Sequence, residues 1–281
     1  MSSSNLASTA STSAIALNVV PARTGIAWVK QGIKTFFKQP LALGGLFFMF
    51  MALISLISQI PFIGAAMALV VLPAATVGLM AATEVAAGGK FPMPAVLFTA
   101  FRADSKKTQA ILTLGALYAV GFLLVLGVSA LFDGGTFANF YLGARGSEAM
   151  TKEIISTSEF QMATWAAMAL YLPLSLMFWH APALVYWHNV SPVKALFFSF
   201  VACFRNFAAM VVYFFMWLAV FSMGGLVLTL VAATTGSESA VSFVMLPAAL
   251  LMAAMFFTSI YFTFKDSFSV INNDATDVFI A

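Results

Sequence analysis

Six apolar runs limit this chain to one kind of fold: residues 41–60, 62–87, 108–132, 161–187, 207–233 and 241–264. None carries Asp, Lys or Arg at its centre. A spanning helix needs about 20 mostly apolar residues to cross a hydrocarbon core roughly 30 Å thick. Helices are the spanning form that satisfies every backbone amide within its own segment, and the alternation of outer-membrane strands is absent. The sequence therefore predicts an all-α polytopic membrane protein whose six transmembrane helices form three hairpins. Only 8% of the 281 residues are charged, against about 25% in soluble domains.

The charges sit between the runs and set an orientation. Arg23, Lys30, Lys34, Lys38, Lys90, Arg102, Lys106, Lys107, Lys194, Arg205 and Lys265 fall in alternate intervals, against Arg145 and Lys152 in the others. By the positive-inside rule the first set is cytoplasmic, so both termini are expected in the cytoplasm of a bacterial inner (plasma) membrane. The opposite face carries Asp133, Glu148, Glu153, Glu159 and Glu238. Scattered rather than clustered basic residues argue against nucleic acid as a partner.

Three regions follow. Residues 1–22 read as a disordered tail, 23–266 as the membrane domain, and 267–281 as a short cytoplasmic tail. The tail lacks the form of a secretory signal, so the first span is expected to act as an uncleaved insertion signal. The first hairpin turns at Gln59-Ile60-Pro61 and the third at Thr234–Ser239. The second carries a polar loop, residues 133–160, of a length that is usually functional or disordered. Its Thr151–Phe160 portion is expected to hold one or two helical turns.

A unit recurs along the chain: an aromatic amphipathic stretch ending in a basic residue, a span, then a second span. Phe37-Lys38, Phe101-Arg102 and Phe204-Arg205 end the stretches, and the steps Pro73-Ala74, Pro182-Ala183 and Pro247-Ala248 mark the second spans. Phe47-Phe48-Met49-Phe50 and Phe214-Phe215-Met216-Trp217 match at the same offset from the first and third stretches. Each stretch is expected to be an amphipathic helix in the headgroup plane, with Trp28, Lys38, Arg102 and Trp187 as interfacial anchors. It reads as an orienting elbow, with anionic lipid headgroups or another membrane protein as the alternative role. Pro73, Pro182 and Pro247 are expected to kink their helices. Their small neighbours favour a packing role over exposed carbonyls on a transport path.

Polar residues near membrane depth are few. Trp179-His180 and Trp187-His188 lie eight residues apart, about 12 Å along a helix, whereas ligands of one metal on one helix need a spacing of three or four. His180 is the stronger functional candidate, because an ionisable group inside a span is often part of a pathway. The competing reading is a neutral imidazole bonded to a neighbouring helix. His188 belongs at headgroup level. Glu84 is the carboxylate within a span, near its cytoplasmic end, and is expected either to pair with Lys90, Arg102 or Arg205 or to reach interfacial water. No catalytic, cofactor or metal motif is present, and the lone Cys203 forms no intramolecular disulfide. An enzyme is not expected.

The run Trp179-His180-Ala181-Pro182-Ala183-Leu184-Val185-Tyr186-Trp187-His188, continuing from Ser191-Pro192 through Phe200 to Cys203, resembles an uncharacterised family of multi-spanning inner-membrane proteins from proteobacteria. Pro21-Ala22-Arg23, Trp28 and Pro40-Leu41-Ala42 fit the same resemblance. It covers roughly residues 20–265 and implies a six-span bundle, with no established activity to carry over. More distantly, the proline-marked hairpins are similar to the membrane domain of some glycerophosphodiester phosphodiesterases, without their catalytic domain. The function expected is a non-enzymatic scaffold or accessory protein acting on lipid or an envelope complex; the alternative is a transporter of a small solute or lipid between the kinked helices.

Overall fold

A computed structural model describes residues 14–142, 152–235 and 238–271. Six helices among them are long and apolar enough to cross a membrane. They are α2 (Pro40–Ser58), α3 (Gly64–Ala87), α4 (Ser105–Asp133), α7 (Ser158–Trp179), α10 (Phe207–Thr235) and α11 (Glu238–Ser267). Pairs α2/α3, α4/α7 and α10/α11 are the three antiparallel hairpins. Shorter helices connect them: α1 (Thr24–Lys38), a 3-10 helix (Pro94–Phe101), α5 (Thr136–Tyr141), α6 (Lys152–Ser156), α8 (Ala181–His188) and α9 (Pro192–Arg205).

Local chemistry sets the ends. Pro40 opens α2 from its first turn, where a missing amide hydrogen costs nothing. The Asp104 carboxylate accepts the Lys107 amide at 2.9 Å and starts α4. At the far end of α4 the chain turns through two left-handed glycines, Gly134 and Gly135. There Asp133 caps α5, its two oxygens accepting the Gly135 and Phe137 amides at 2.9 and 2.7 Å. Thr157 caps α7 through the Phe160 amide. Phe137 and Phe160 then pack together with Val125, Leu126 and Leu174. The described parts of the 133–160 loop are thus short helices docked on their own hairpin, with helical turns at 152–156 as expected. Arg145 and the rest of 143–151 lie outside the described residues, as do 236–237 in the third turn.

The lead-in segments differ from one another. The first, α1, is amphipathic with Lys30, Lys34 and Lys38 exposed; protein covers the face that holds Trp28, Val29 and Phe36, Ile26 and Ile33 are half-buried, and Phe37 stays exposed. Gly25, Trp28, Val29, Gly32 and Phe36 are buried against α10, α11 and α3. Trp28 is 0% exposed, its indole donating to Asp266 at 2.9 Å, so it is a core residue and not an interfacial anchor. The second segment is a 3-10 helix, pressed so closely on α3 that a Cβ on Gly78 would lie 2.8 Å from the Leu97 Cα. The third, α9, buries Ala195, Ser199, Ala202 and Cys203 against its neighbours and exposes Phe197, Phe198 and Phe204.

The fourth span also departs from its expected form. It is interrupted: α7 ends at Trp179, His180 forms a one-residue bend, and α8 begins at Ala181. Pro182 is in the first turn of α8, where it starts a helix instead of bending one. Together α7 and α8 form the fourth apolar segment, Ser158–His188, and the 22 residues of α7 account for about 33 Å of it. Pro73 and Pro247 do lie inside continuous helices, as does Pro173.

The tails meet. Ala14–Leu17 (β1) pairs antiparallel with Phe268–Ile271 (β2), which places both ends of the membrane domain on one face. Residues 14–22 of the expected disordered tail are therefore ordered against the bundle; residues 1–13 and 272–281 lie outside the described part. Asn206 clamps the ribbon to the bundle. Its carbonyl accepts the Val20 amide at 2.9 Å, and its amide donates to the Asn18 carbonyl at 3.0 Å.

Candidate functional site

The last helix carries buried hydroxyls at helical spacing: Ser259, Thr263 and Ser267, each four residues from the next. This stripe organises the polar interior. Thr263 donates its hydroxyl hydrogen to the Ile260 carbonyl at 2.7 Å. Its oxygen then accepts, from the Trp179 indole at 3.0 Å and from His180 Nε2 at 3.2 Å. With that hydroxyl hydrogen on the Ile260 carbonyl, the arrangement fits the His180 tautomer that carries its proton on Nε2 and presents Nδ1 as the acceptor. The Cys203 thiol lies 3.7 Å from that Nδ1 and 3.8 Å from the Leu176 carbonyl.

The backbone break at His180 is satisfied as well. Its amide donates to the Ser199 hydroxyl at 2.9 Å, and Ser199 donates onward to the Leu176 carbonyl at 2.8 Å. Helix α9 thus patches the interruption between α7 and α8, the accounting that a broken helix demands in a low-dielectric setting. One turn along α11, Ser259 repeats the Thr263 arrangement. It donates to the Phe256 carbonyl at 2.6 Å and accepts from the Tyr213 hydroxyl at 2.6 Å and the Trp217 indole at 3.1 Å. Among the described residues, no buried side-chain nitrogen or oxygen lacks a partner.

Of the residues singled out from sequence, His180 alone enters this network. Thr263 stands two residues before Lys265, and Cys203 two before Arg205, so His180 lies near the terminal-face end of the bundle rather than deep in a span. His188 is half-buried, its ring 5.7 Å from Phe264. Trp187 stacks on Phe264, with centroids 5.7 Å apart. Glu84 is exposed, in line with the interfacial alternative, and its carboxylate accepts from the Tyr261 hydroxyl at 3.5 Å. Lys38 caps the end of α3 by donating to the Ala87 carbonyl at 3.2 Å. Arg102 and Arg205 are exposed.

Sequence reasoning missed Asn206, Ser259, Thr263 and the Trp28–Asp266 pair. The hydroxyl stripe was a legible signal, since its period is that of a helix face. Cys203 is buried, and burial pushes its thiol up to about 12. It is a poor nucleophile while folded, which makes its labelling a clean report of unfolding. His180 and Cys203 adjoin, yet among the described residues no three His, Cys, Asp or Glu side chains converge as a metal site would need.

Three apolar hairpins around a self-satisfied polar core define a multi-pass α-helical membrane protein. The chain is 40% identical over 252 residues to a probable inner membrane protein of Burkholderia thailandensis, covering 89% of this chain and 93% of that relative. It belongs to the same family of inner-membrane proteins. No family model and no solved structure matches it.

Proposed function

We propose that this chain is a non-enzymatic scaffold or accessory protein of the inner membrane, organising lipid or an envelope complex. One observation carries the reading: the polar groups within the bundle are consumed by one another. A transport path needs groups that can exchange partners with a solute. Here Thr263 and Ser259 each donate once and accept twice, leaving His180, Trp179, Tyr213 and Trp217 already bonded. Such closed networks supply rigidity and a defined helix order. The distribution of Lys and Arg supports cytoplasmic termini.

Native mass spectrometry of the full chain released from lipid nanodiscs tests the role. A lipid or a second membrane protein retained at fixed stoichiometry is expected, and a bare chain at every lipid composition overturns the reading. For orientation, a fluorescent protein fused at the C-terminus should fluoresce, and alkaline phosphatase inserted near residue 145 should be active. The reverse pattern contradicts cytoplasmic termini.

A further inference from the structure

The start of α4 and the turn between α8 and α9 form an open cavity of about 480 Å³, lined by Asp104, Lys106, Lys107, Val185, Asn189 and Ser191 among others. We propose that this cavity binds the phosphate of an anionic amphiphile, a phospholipid headgroup or a related phosphate ester. The inference rests on the lipid-organising part of the reading above and gives it a location.

Lys107 is half-buried, with its ammonium 5.3 Å from the centroid of the Tyr186 ring. The aromatic face fixes the cation while its hydrogens stay available to an acceptor. Lys106 is beside it in the chain and exposed. The one acid in the lining, Asp104, accepts the Lys107 backbone amide through one oxygen and keeps its negative charge, and against it Lys106 and Lys107 leave the lining net positive. The N-terminus of α9 adds positive potential: its first residue, Pro192, lines the cavity, and the Ser191 side chain makes no capping bond to the α9 amides.

The surroundings favour an amphiphile. Residue 105 begins a span, so the cavity stands at headgroup level. Phe101 and Val193, close in sequence to the lining residues, are 41% and 70% exposed, giving apolar surface on which acyl chains can lie. The exposed lysines of α1 are a contrasting basic surface, on a different helix from those that line this cavity.

The test is native mass spectrometry of the full chain from nanodiscs of mixed phosphatidylglycerol and phosphatidylcholine. The wild type should retain phosphatidylglycerol selectively. Removing both charges in Lys106→Gln/Lys107→Gln should weaken retention on the order of tenfold, since each lysine near an anionic surface contributes about 1 kcal/mol. Lys106→Arg/Lys107→Arg should restore it, and Lys30→Gln/Lys34→Gln should leave it unchanged. Protection of Cys203 from a thiol dye verifies folding in each variant. Displacement by soluble glycerol phosphate would identify a free phosphate ester as the occupant, and resistance to it a lipid. Undiminished retention in Lys106→Gln/Lys107→Gln, or an equal loss in the α1 variant, overturns the site while leaving a lipid-organising role standing. A chain that retains no lipid sinks both.

Discussion

Replacing Gly32 with leucine is expected to drive α1 out of its groove and to lower stability by about 3 kcal/mol, the upper part of the range for overpacking a well-filled interior. The reason is the partner atom. A Cβ at Gly32 would lie 2.7 Å from the Ser259 Cα, so main chain rather than a flexible side chain stands in the way. Gly25 makes the same kind of approach one face-repeat earlier, where a Cβ would lie 2.7 Å from the Tyr213 amide nitrogen. Between them Trp28 and Val29 are buried, and expulsion would expose both. Gly45 supplies the control: nothing lies within 4 Å of a Cβ there, and Gly45→Ala should be neutral or stabilising by up to about 1 kcal/mol. The readout is the thermal midpoint at which a thiol-reactive dye labels Cys203. Equal midpoints for Gly32→Leu and Gly45→Ala would show that α1 lies loosely on the surface.

The second large effect is expected at Thr263. Valine matches threonine in shape but accepts no hydrogen bond, so Thr263→Val strands the Trp179 indole and His180 Nε2 hydrogens together. An average interhelical hydrogen bond in a membrane protein contributes only about 0.6 kcal/mol. A buried donor left without an acceptor costs about 1–3 kcal/mol, a penalty that applies in full to buried His180 and in part to the partly buried Trp179, because the shape is conserved. Two stranded donors give an expected loss of about 2–4 kcal/mol. The double variant Thr263→Val/His180→Leu should lose less than the sum of the single losses, because the second change removes one of the stranded donors. Strict additivity of the two losses would mean that the contact does not bear on stability.

Which parts of this fold were readable follows from what local pattern encodes. The spans were legible because apolar length and the exclusion of charge are properties of contiguous sequence. The role of α1 was not. Spacing of Ile26, Ile33 and Phe37 against Lys30, Lys34 and Lys38 shows that an apolar face exists, but lipid and protein cover such a face equally well. Gly25 and Gly32, seven residues apart, were the signal that a backbone approaches closely. The break at His180 was half legible. Pro182 is incompatible with an unbroken ladder, but a proline also starts helices, and Ser199 on α9 decides between a kink and a fresh start. Pairing of β1 with β2 was out of reach, because Asn18 and Ser267 are far apart in sequence and joined only by the finished bundle. His180 stands out in the sequence as a polar group within an apolar run, and it is buried. Its partners on α11 required the last span to be read for its hydroxyl stripe as well as its hydropathy.

The central claim is that the bundle is closed, its polar groups facing one another instead of a water path. Single cysteines at Ala75, Ala119, Ala167 and Ala254 test it in a Cys203→Ala background, with a membrane-impermeant maleimide applied from each side of the membrane. All four native side chains are buried near the middle of α3, α4, α7 and α11. Protection at every position until the protein is denatured is the predicted result. Labelling of any of them in the folded protein would reveal an aqueous route through the bundle and contradict the account.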